Sequence, residues 1–219
     1  MTPRSLKQLY YRLLRVPMWI NGRLYRAFRH PDGPIRVHLG PGKHKYLPGW
    51  VNLDANFLSA RIDLWVNLMD PLPFRGGSVA AIYSHHVIEH LPDRHLPAHF
   101  LEMFRVLVPG GGIRVGGPDA GNACAKFVAG ELDWFSTYPV NRRSIGGRFA
   151  NFIFCDGEHL TALSESYLRE LAEAAGFVAV RHMLPCRQSE LVEREVLEFE
   201  YEDDFETPHT VIIEARKPG

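Results

Sequence analysis

The chain is expected to be α/β, with a mostly parallel sheet and helices on both faces, and three observations carry that expectation. From Ile35 onward, short apolar runs of strand length alternate with longer stretches of helical spacing. Between two such runs, Leu96, Phe100, Met103, Phe104 and Leu107 recur at helical intervals, as a crossover between parallel strands requires. The first apolar run also leads straight into the turn Gly40-Pro41-Gly42, and the second ends on an acid, Asp54.

Taken in order, the elements begin with Leu6, Leu9, Tyr10, Leu13 and Leu14, whose spacing predicts an amphipathic helix over residues 4–15 that Pro17 ends. A second short helix is expected over 22–29, before the Pro31-Asp32-Gly33-Pro34 break. Strands are expected at 35–39, 50–53, 64–66, 79–83, 113–116, 177–180 and 210–215, which makes seven. Helices are expected over 94–107 and 164–175, the latter started by Thr161 with Ser164 and Glu165 and closed by Gly176. Residues 118–160 read as less regular and rich in aromatics, the character of a substrate-binding lid. Residues 1–33 thus form a basic helical arm and 34–219 a single domain, in keeping with a length of 219 residues.

Composition narrows the function. Hydrophobic residues at 46% and charged ones at 23% exclude a mainly disordered chain. The formal charge of +0 offers no general field for nucleic acid, so a nucleic-acid partner is not expected. That zero conceals two opposed ends. Residues 1–31 carry Arg4, Lys7, Arg12, Arg15, Arg23, Arg26 and Arg29 with no acid, while residues 190–206 carry nine acids against Arg194. Read as surfaces, the two either face each other or leave the basic arm to meet an acidic membrane or a charged substrate. Cys124, Cys155 and Cys186 form no disulfide framework, and no apolar run reaches the roughly 18 residues of a membrane span. A cytoplasmic protein is expected, with the arm as a candidate peripheral contact at the inner face of the membrane.

The turn Leu39-Gly40-Pro41-Gly42 brings backbone close to a ligand, and a carboxylate at the end of the next strand is placed to accept both hydroxyls of a ribose. Lys45 stands where a dinucleotide-binding turn has its third glycine, and Gly42-Lys43 is followed by His44 where a phosphate-cradling loop has Ser or Thr. A nucleoside without pyrophosphate is the ligand these residues suit.

Val37-His38-Leu39-Gly40-Pro41-Gly42, Leu47-Pro48-Gly49-Trp50-Val51-Asn52-Leu53-Asp54, Asp70-Pro71-Leu72-Pro73-Phe74, the segment 82–91, Phe104 to Gly112 and Gly157-Glu158-His159 occur in an order that resembles the class I S-adenosylmethionine-dependent methyltransferases. The likeness is to short bacterial members of the "methyltransferase domain 11" kind, several of which modify polysaccharides or other small molecules. It implies a Rossmann-like seven-stranded sheet and S-adenosyl-L-methionine as cofactor. By that resemblance Leu39, Gly40, Pro41 and Gly42 border the methionine part, Asp54 holds the ribose, Asp70 and Leu72 lie at the adenine edge, and Ser84, His85 and His86 border the sulfonium and the methyl group.

The densest polar cluster is Ser84-His85-His86-Val87-Ile88-Glu89-His90. His85, His86 and His159 are the candidate bases, since a histidine titrating near neutrality accepts a proton from an attacking hydroxyl. Asp119, Arg142, Arg143 and His159 are the candidate contacts to a small-molecule or carbohydrate acceptor. The main expectation is methyl transfer to an oxygen, without a resident metal. Two alternatives remain open. One is a cofactor-binding scaffold without catalysis; the other is a zinc hydrolase in which His86 and His90 bind metal and Glu89 activates water.

Overall fold

The computed structural model describes residues 4–29, 31–58 and 60–219. Seven strands, β1 (Ile35–Leu39), β2 (Val51–Asp54), β3 (Leu64–Trp65), β4 (Val79–His85), β5 (Leu107–Pro118), β6 (Val178–Met183) and β7 (Thr210–Arg216), form one sheet in the order β3-β2-β1-β4-β5-β7-β6. Neighbours from β3 through to β5 pair in parallel, and β7 runs antiparallel to both β5 and β6. The order reverses direction at β1, between β2 and β4, so their C-terminal ends open a crevice there.

Both faces of the sheet are covered, which is why β4 is buried almost without interruption. On one face α2 (Leu96–Val106) and α5 (Glu165–Ala174) present Phe100, Met103, Val106, Leu168 and Leu171 to Val37, Leu39, Ile82 and Ile113. Each such side chain contributes on the order of 1.5–3 kcal/mol by leaving water. On the other face Leu47, Trp50 and Tyr83 pack with Val192 and Val196, the latter on α6 (Arg194–Leu197). A third cluster joins Ala123, Trp134 and Phe135 to Phe149 and Phe152. It lies in the segment expected to be irregular, which holds α3 (Ala120–Ala129) and α4 (Ile145–Phe154). Their ends are marked by local chemistry. Asp119 caps α3, Ser144 caps α4, and Gly130 at φ 77° ends α3 in the left-handed conformation. Ser164, not Thr161, is the cap of α5; the Thr161 hydroxyl donates to the Leu91 carbonyl at 2.8 Å.

At the N-terminus α1 (Arg4–Leu24) continues through Pro17 and passes into a wider turn over Tyr25–Arg29, where two helices with a break had been expected. Pro17 cannot donate to the carbonyl four residues earlier. The second half of the helix is held by docking: Met18 is fully buried, Asn21 donates to the Trp65 carbonyl at 2.8 Å, and Tyr25 meets Phe74 edge to face.

The acidic run is only partly a surface. Glu200 is fully buried and binds Arg114, itself fully buried, through two contacts of 2.7 and 2.6 Å, while Glu214 takes another guanidinium nitrogen at 2.9 Å. Arg36 pairs with Glu193 and Arg15 with Asp70, so these contacts of the two charged ends lead to the body of the domain.

Candidate active site

The crevice begins where β1 ends. Leu39 is buried, and the chain turns at Gly40 (φ 66°) and Gly42 (φ 55°), a conformation costly for residues with a Cβ. A Cβ on Gly40 would stand 2.4 Å from Val87 Cγ2, so the turn packs directly on the segment after β4. A Cβ on Gly42 would meet nothing within 4 Å, so that part of the turn faces open space. The Gly40 amide donates to the Leu53 carbonyl at 2.8 Å and ties the turn to β2.

Asp54 closes β2. It accepts the Asn56 amide at 2.9 Å and the Gly42 amide at 3.4 Å, and burial raises its pKa against the pull of these donors. The carboxylate keeps acceptor capacity for further hydroxyls. Unexpectedly, α1 crosses this edge. The Tyr10 hydroxyl donates to the Ala55 carbonyl at 2.7 Å, and Tyr11, whose pKa burial raises first, also feels the charges of Asp54 and Glu158. Neither tyrosine was a site candidate from the sequence, where Tyr10 read as a member of an apolar helix face.

Asp70 is engaged by Arg15 at 2.7 Å. The Leu72 amide donates to Glu102 at 3.0 Å and its carbonyl accepts Arg105 at 3.0 Å, so its backbone is already hydrogen bonded. Asp70 and Leu72 line a cavity of about 780 Å³ with Met18, Trp19, Arg23 and Asn67; Gly40, Gly42 and Asp54 are not part of its lining.

At the end of β4, Ser84 is fully buried and its hydroxyl has no hydrogen-bond partner among the described residues. His85 is buried against Tyr83, with Nδ1 3.3 Å from Lys45 Nζ; burial above all holds its pKa well below the ordinary histidine value. Lys45, from the loop that departs from a dinucleotide turn, therefore packs into the site edge. His86 adopts φ 56° and is more open, with Nε2 3.1 Å from Thr210 Oγ1 and Nδ1 3.3 Å from Glu89 Oε1.

Glu89 belongs to a short 3-10 turn, Ile88–His90, with only 1% of its surface exposed. His86, with its left-handed backbone, lies outside that turn, so the two histidines do not share a helical face as the zinc-hydrolase pattern demands. His90 and His159 face each other with ring centroids 5.0 Å apart. Burial lowers the pKa of His159, opposed by the charge of Glu89.

The remaining candidates are dispersed. Asp119 Oδ1 accepts the Gly121 and Asn122 amides at 2.8 and 3.1 Å, which is the work of a helix cap. Arg142 and Arg143 are exposed just before α4. The structure thus brings together His86, Glu89, His90 and His159, and sets the two arginines in a separate exposed loop.

Comparison with solved structures defines the class. A SAM-dependent methyltransferase from Archaeoglobus fulgidus superposes with a TM-score of 0.53 at 16% identity, over 95% of this chain and 100% of that one. A possible histamine N-methyltransferase from Thermotoga maritima gives 0.53 at 17%, over 98% and 96%. The phosphoethanolamine N-methyltransferase 2 of Haemonchus contortus, solved with S-adenosyl-L-methionine, gives 0.54 at 13%, over 91% of this chain and 53% of that one. At such identities the likeness is one of fold: the chain has the class I S-adenosylmethionine-dependent methyltransferase fold. More particularly, residues 50–115 match the methyltransferase domain family. No curated protein matches the chain.

Proposed function

We propose that the protein transfers a methyl group from S-adenosyl-L-methionine to an oxygen of a small molecule or sugar. The observation that carries this reading is the open turn at Gly42 beside a half-buried, incompletely hydrogen-bonded Asp54, on the same sheet edge as His86. The residues suit the cofactor. Gly42 leaves room for it, Asp54 has acceptor capacity for the ribose hydroxyls, and α1 shields the edge from water through Tyr10 and Tyr11.

When bound, the sulfonium supplies an activated methyl carbon: the new carbon–oxygen bond forms as the carbon–sulfur bond breaks, with the electron pair left on sulfur. The chain's own part is to align the acceptor, exclude water and take up the hydroxyl proton. His86 has the open position for that proton, with Glu89 beside it to stabilise the imidazolium. Calorimetry with S-adenosylmethionine tests the cofactor. Asp54→Ala should weaken binding about tenfold or more while the fold persists, consistent with loss of hydrogen bonds worth roughly 1.5–3 kcal/mol from a charged group. Unchanged affinity would remove Asp54 from the site. With cofactor saturating, unchanged turnover of His86→Ala would remove His86 as the base.

The outer face of α1 suggests where the protein works. Leu9, Leu13, Val16, Ile20 and Leu24 are exposed at helical spacing opposite the docked Met18 and Tyr25, and Arg12, Arg23 and Arg26 lie beside them. No helix among the described residues is long and apolar enough to cross a membrane. Contact of this face with an anionic leaflet, in the cytoplasm, accounts for both the exposed apolar stripe and its basic border. Full-length protein should sediment with anionic vesicles and Leu13→Glu/Ile20→Glu should not; equal sedimentation of the two excludes the contact.

A further inference from the structure

Among the described residues, two groupings of carboxylates and histidines are close enough to share an ion, Glu89 with His90 and His159, and Glu202 with Asp203 and His209. Their hydrogen bonding separates them. His209 uses both ring nitrogens, Nδ1 toward Glu202 at 2.8 Å and Nε2 toward the Trp134 carbonyl at 2.7 Å. Glu202 accepts the amides of Asp203, Asp204, His209 and Thr210. That grouping has no free ligand atoms on its buried members.

The other is built in the opposite sense. Glu89 is 1% exposed, yet neither of its carboxylate oxygens has a hydrogen-bond partner among the described residues. Two imidazoles approach Oε1 at longer range, His86 Nδ1 at 3.3 Å and His90 Nε2 at 4.0 Å, and against burial their charges hold the Glu89 pKa below its ordinary value. His90 Nδ1 is 3.0 Å from the Glu158 carbonyl and His159 Nδ1 is 3.2 Å from the Ile153 carbonyl. A carbonyl only accepts, so in each ring Nδ1 carries the hydrogen and Nε2 is left with its lone pair. Backbone support of one nitrogen that frees the other is how metal-binding histidines are oriented. One ligand atom from each of Glu89, His90 and His159 falls within 4.8 Å of the others. Ligands about 2.1 Å from a tetrahedral ion stand roughly 3.4 Å apart, so a small inward movement completes the set.

We infer that Glu89, His90 and His159 form a binding site for one divalent transition-metal ion of the zinc type. One carboxylate with two imidazoles suits a borderline ion such as zinc, cobalt or manganese better than magnesium or calcium, which take oxygen ligands. A buried carboxylate without donors is costly in an apolar setting, and a cation supplies the missing partner. His90 is exposed and His159 half-buried, so the coordination sphere opens toward solvent and keeps a position for another ligand. Val87, two residues before Glu89, packs directly on the turn at Gly40, which sets the site beside that turn. On the methyl-transfer reading, and only there, an ion held by Glu89, His90 and His159 would supply a Lewis acid for the acceptor hydroxyl.

The test begins with binding, which does not depend on activity. Full-length protein stripped with a chelator is titrated with zinc by calorimetry and with cobalt by visible absorption. One equivalent should bind, and the cobalt form should show the intense colour of low-coordinate nitrogen and oxygen ligation. His90→Ala and His159→Ala, neither buried like Glu89, and Glu89→Gln, close in shape, should each weaken binding at least tenfold. Absence of saturable binding, or equal binding by all three variants, overturns the site. Affinity for S-adenosylmethionine, measured in parallel, reports on the cofactor reading separately. If methyl transfer is found, chelation should abolish it while leaving cofactor affinity intact, and turnover indifferent to chelation overturns the acceptor role.

Discussion

Glu89 and Glu202 are both nearly fully buried glutamates with histidines at hand, and they behave as opposites. Glu202 is surrounded by donors: Oε1 takes two amides and the His209 ring, Oε2 two further amides. Glu89 receives no backbone donor on either carboxylate oxygen among the described residues, although its own backbone carbonyl accepts the Leu160 and Thr161 amides at 2.7 and 3.1 Å. A fold that satisfies one interior carboxylate so fully and leaves the other open distinguishes a structural joint from a place where something binds.

Swapping each acid for its amide sharpens the contrast, and the largest effect falls on Glu202. Both of its oxygens face N–H groups, so the NH₂ of Glu202→Gln must oppose donors whichever way it turns. A loss of about 3 kcal/mol in denaturant unfolding is expected, in the range for breaking a buried charged network. Stability within about 1 kcal/mol of the parent would mean that Glu202 is not the joint described.

A smaller effect should appear with pH. His209 is held above its ordinary value by Glu202 against the opposing effect of burial, and Glu202 is held below its own by His209 and the backbone donors. A raised histidine pKa stabilises the fold below about pH 6.5 and loses that contribution as pH rises through the folded value. A lowered glutamate pKa stabilises above about pH 4.3 and loses its contribution as pH falls through the folded value. The joint is therefore strongest between roughly pH 4.3 and 6.5. The stability difference between the parent and Glu202→Gln should be widest there and narrow on both sides; a difference flat across pH 4 to 9 would contradict the pairing.

A wider acid effect comes from His38 and His99, both buried and brought down to about 4 by burial. Their neutral forms favour the folded state, so that stability is present above about pH 6.5 and declines as pH falls toward the folded values. Replacing His99 with Gln should flatten the acid limb of the unfolding profile without shifting its alkaline limb. The smallest change is expected at Glu89→Gln in the absence of metal. Only the His86 and His90 rings approach its carboxylate, at 3.3 and 4.0 Å, so stability should stay within about 1 kcal/mol of the parent. A loss as large as that of Glu202→Gln would erase the distinction between the two acids.

Much of the frame was legible. The alternation of apolar runs marks all seven strands, and the glycine turn with Asp54 marks the crevice, because these signals are local and periodic. What escaped was decided by distant contacts. The helix through Pro17 depends on Met18, Asn21 and Tyr25 finding Trp65 and Phe74, which no window around residue 17 contains. Residues 118–160 looked irregular because Gly146, Gly147 and the aromatics mask helical spacing. Even so, Asp119, Ser144 and Gly130 were available as caps. In the site, His86, Glu89 and His90 stood out by proximity in sequence, but only His86 was expected to act, as a base after the fourth strand; helical spacing entered through the zinc-hydrolase alternative alone. His159 joins them only because the chain returns some seventy residues later, and the donor-free setting of Glu89 is a property of that return.

The guanidinium of Arg114, enclosed by Glu200 and Glu214, bears on how the polypeptide can be cut. The stretch 190–206 has the composition of a dispensable tail, and an endoprotease specific for acidic residues would find many candidate bonds there. Removal of the segment containing Glu200 would leave an interior cation with half of its counter-charge missing, in the middle of β5. Limited digestion should accordingly yield either the intact chain or small fragments, and no trimmed core that keeps its shape.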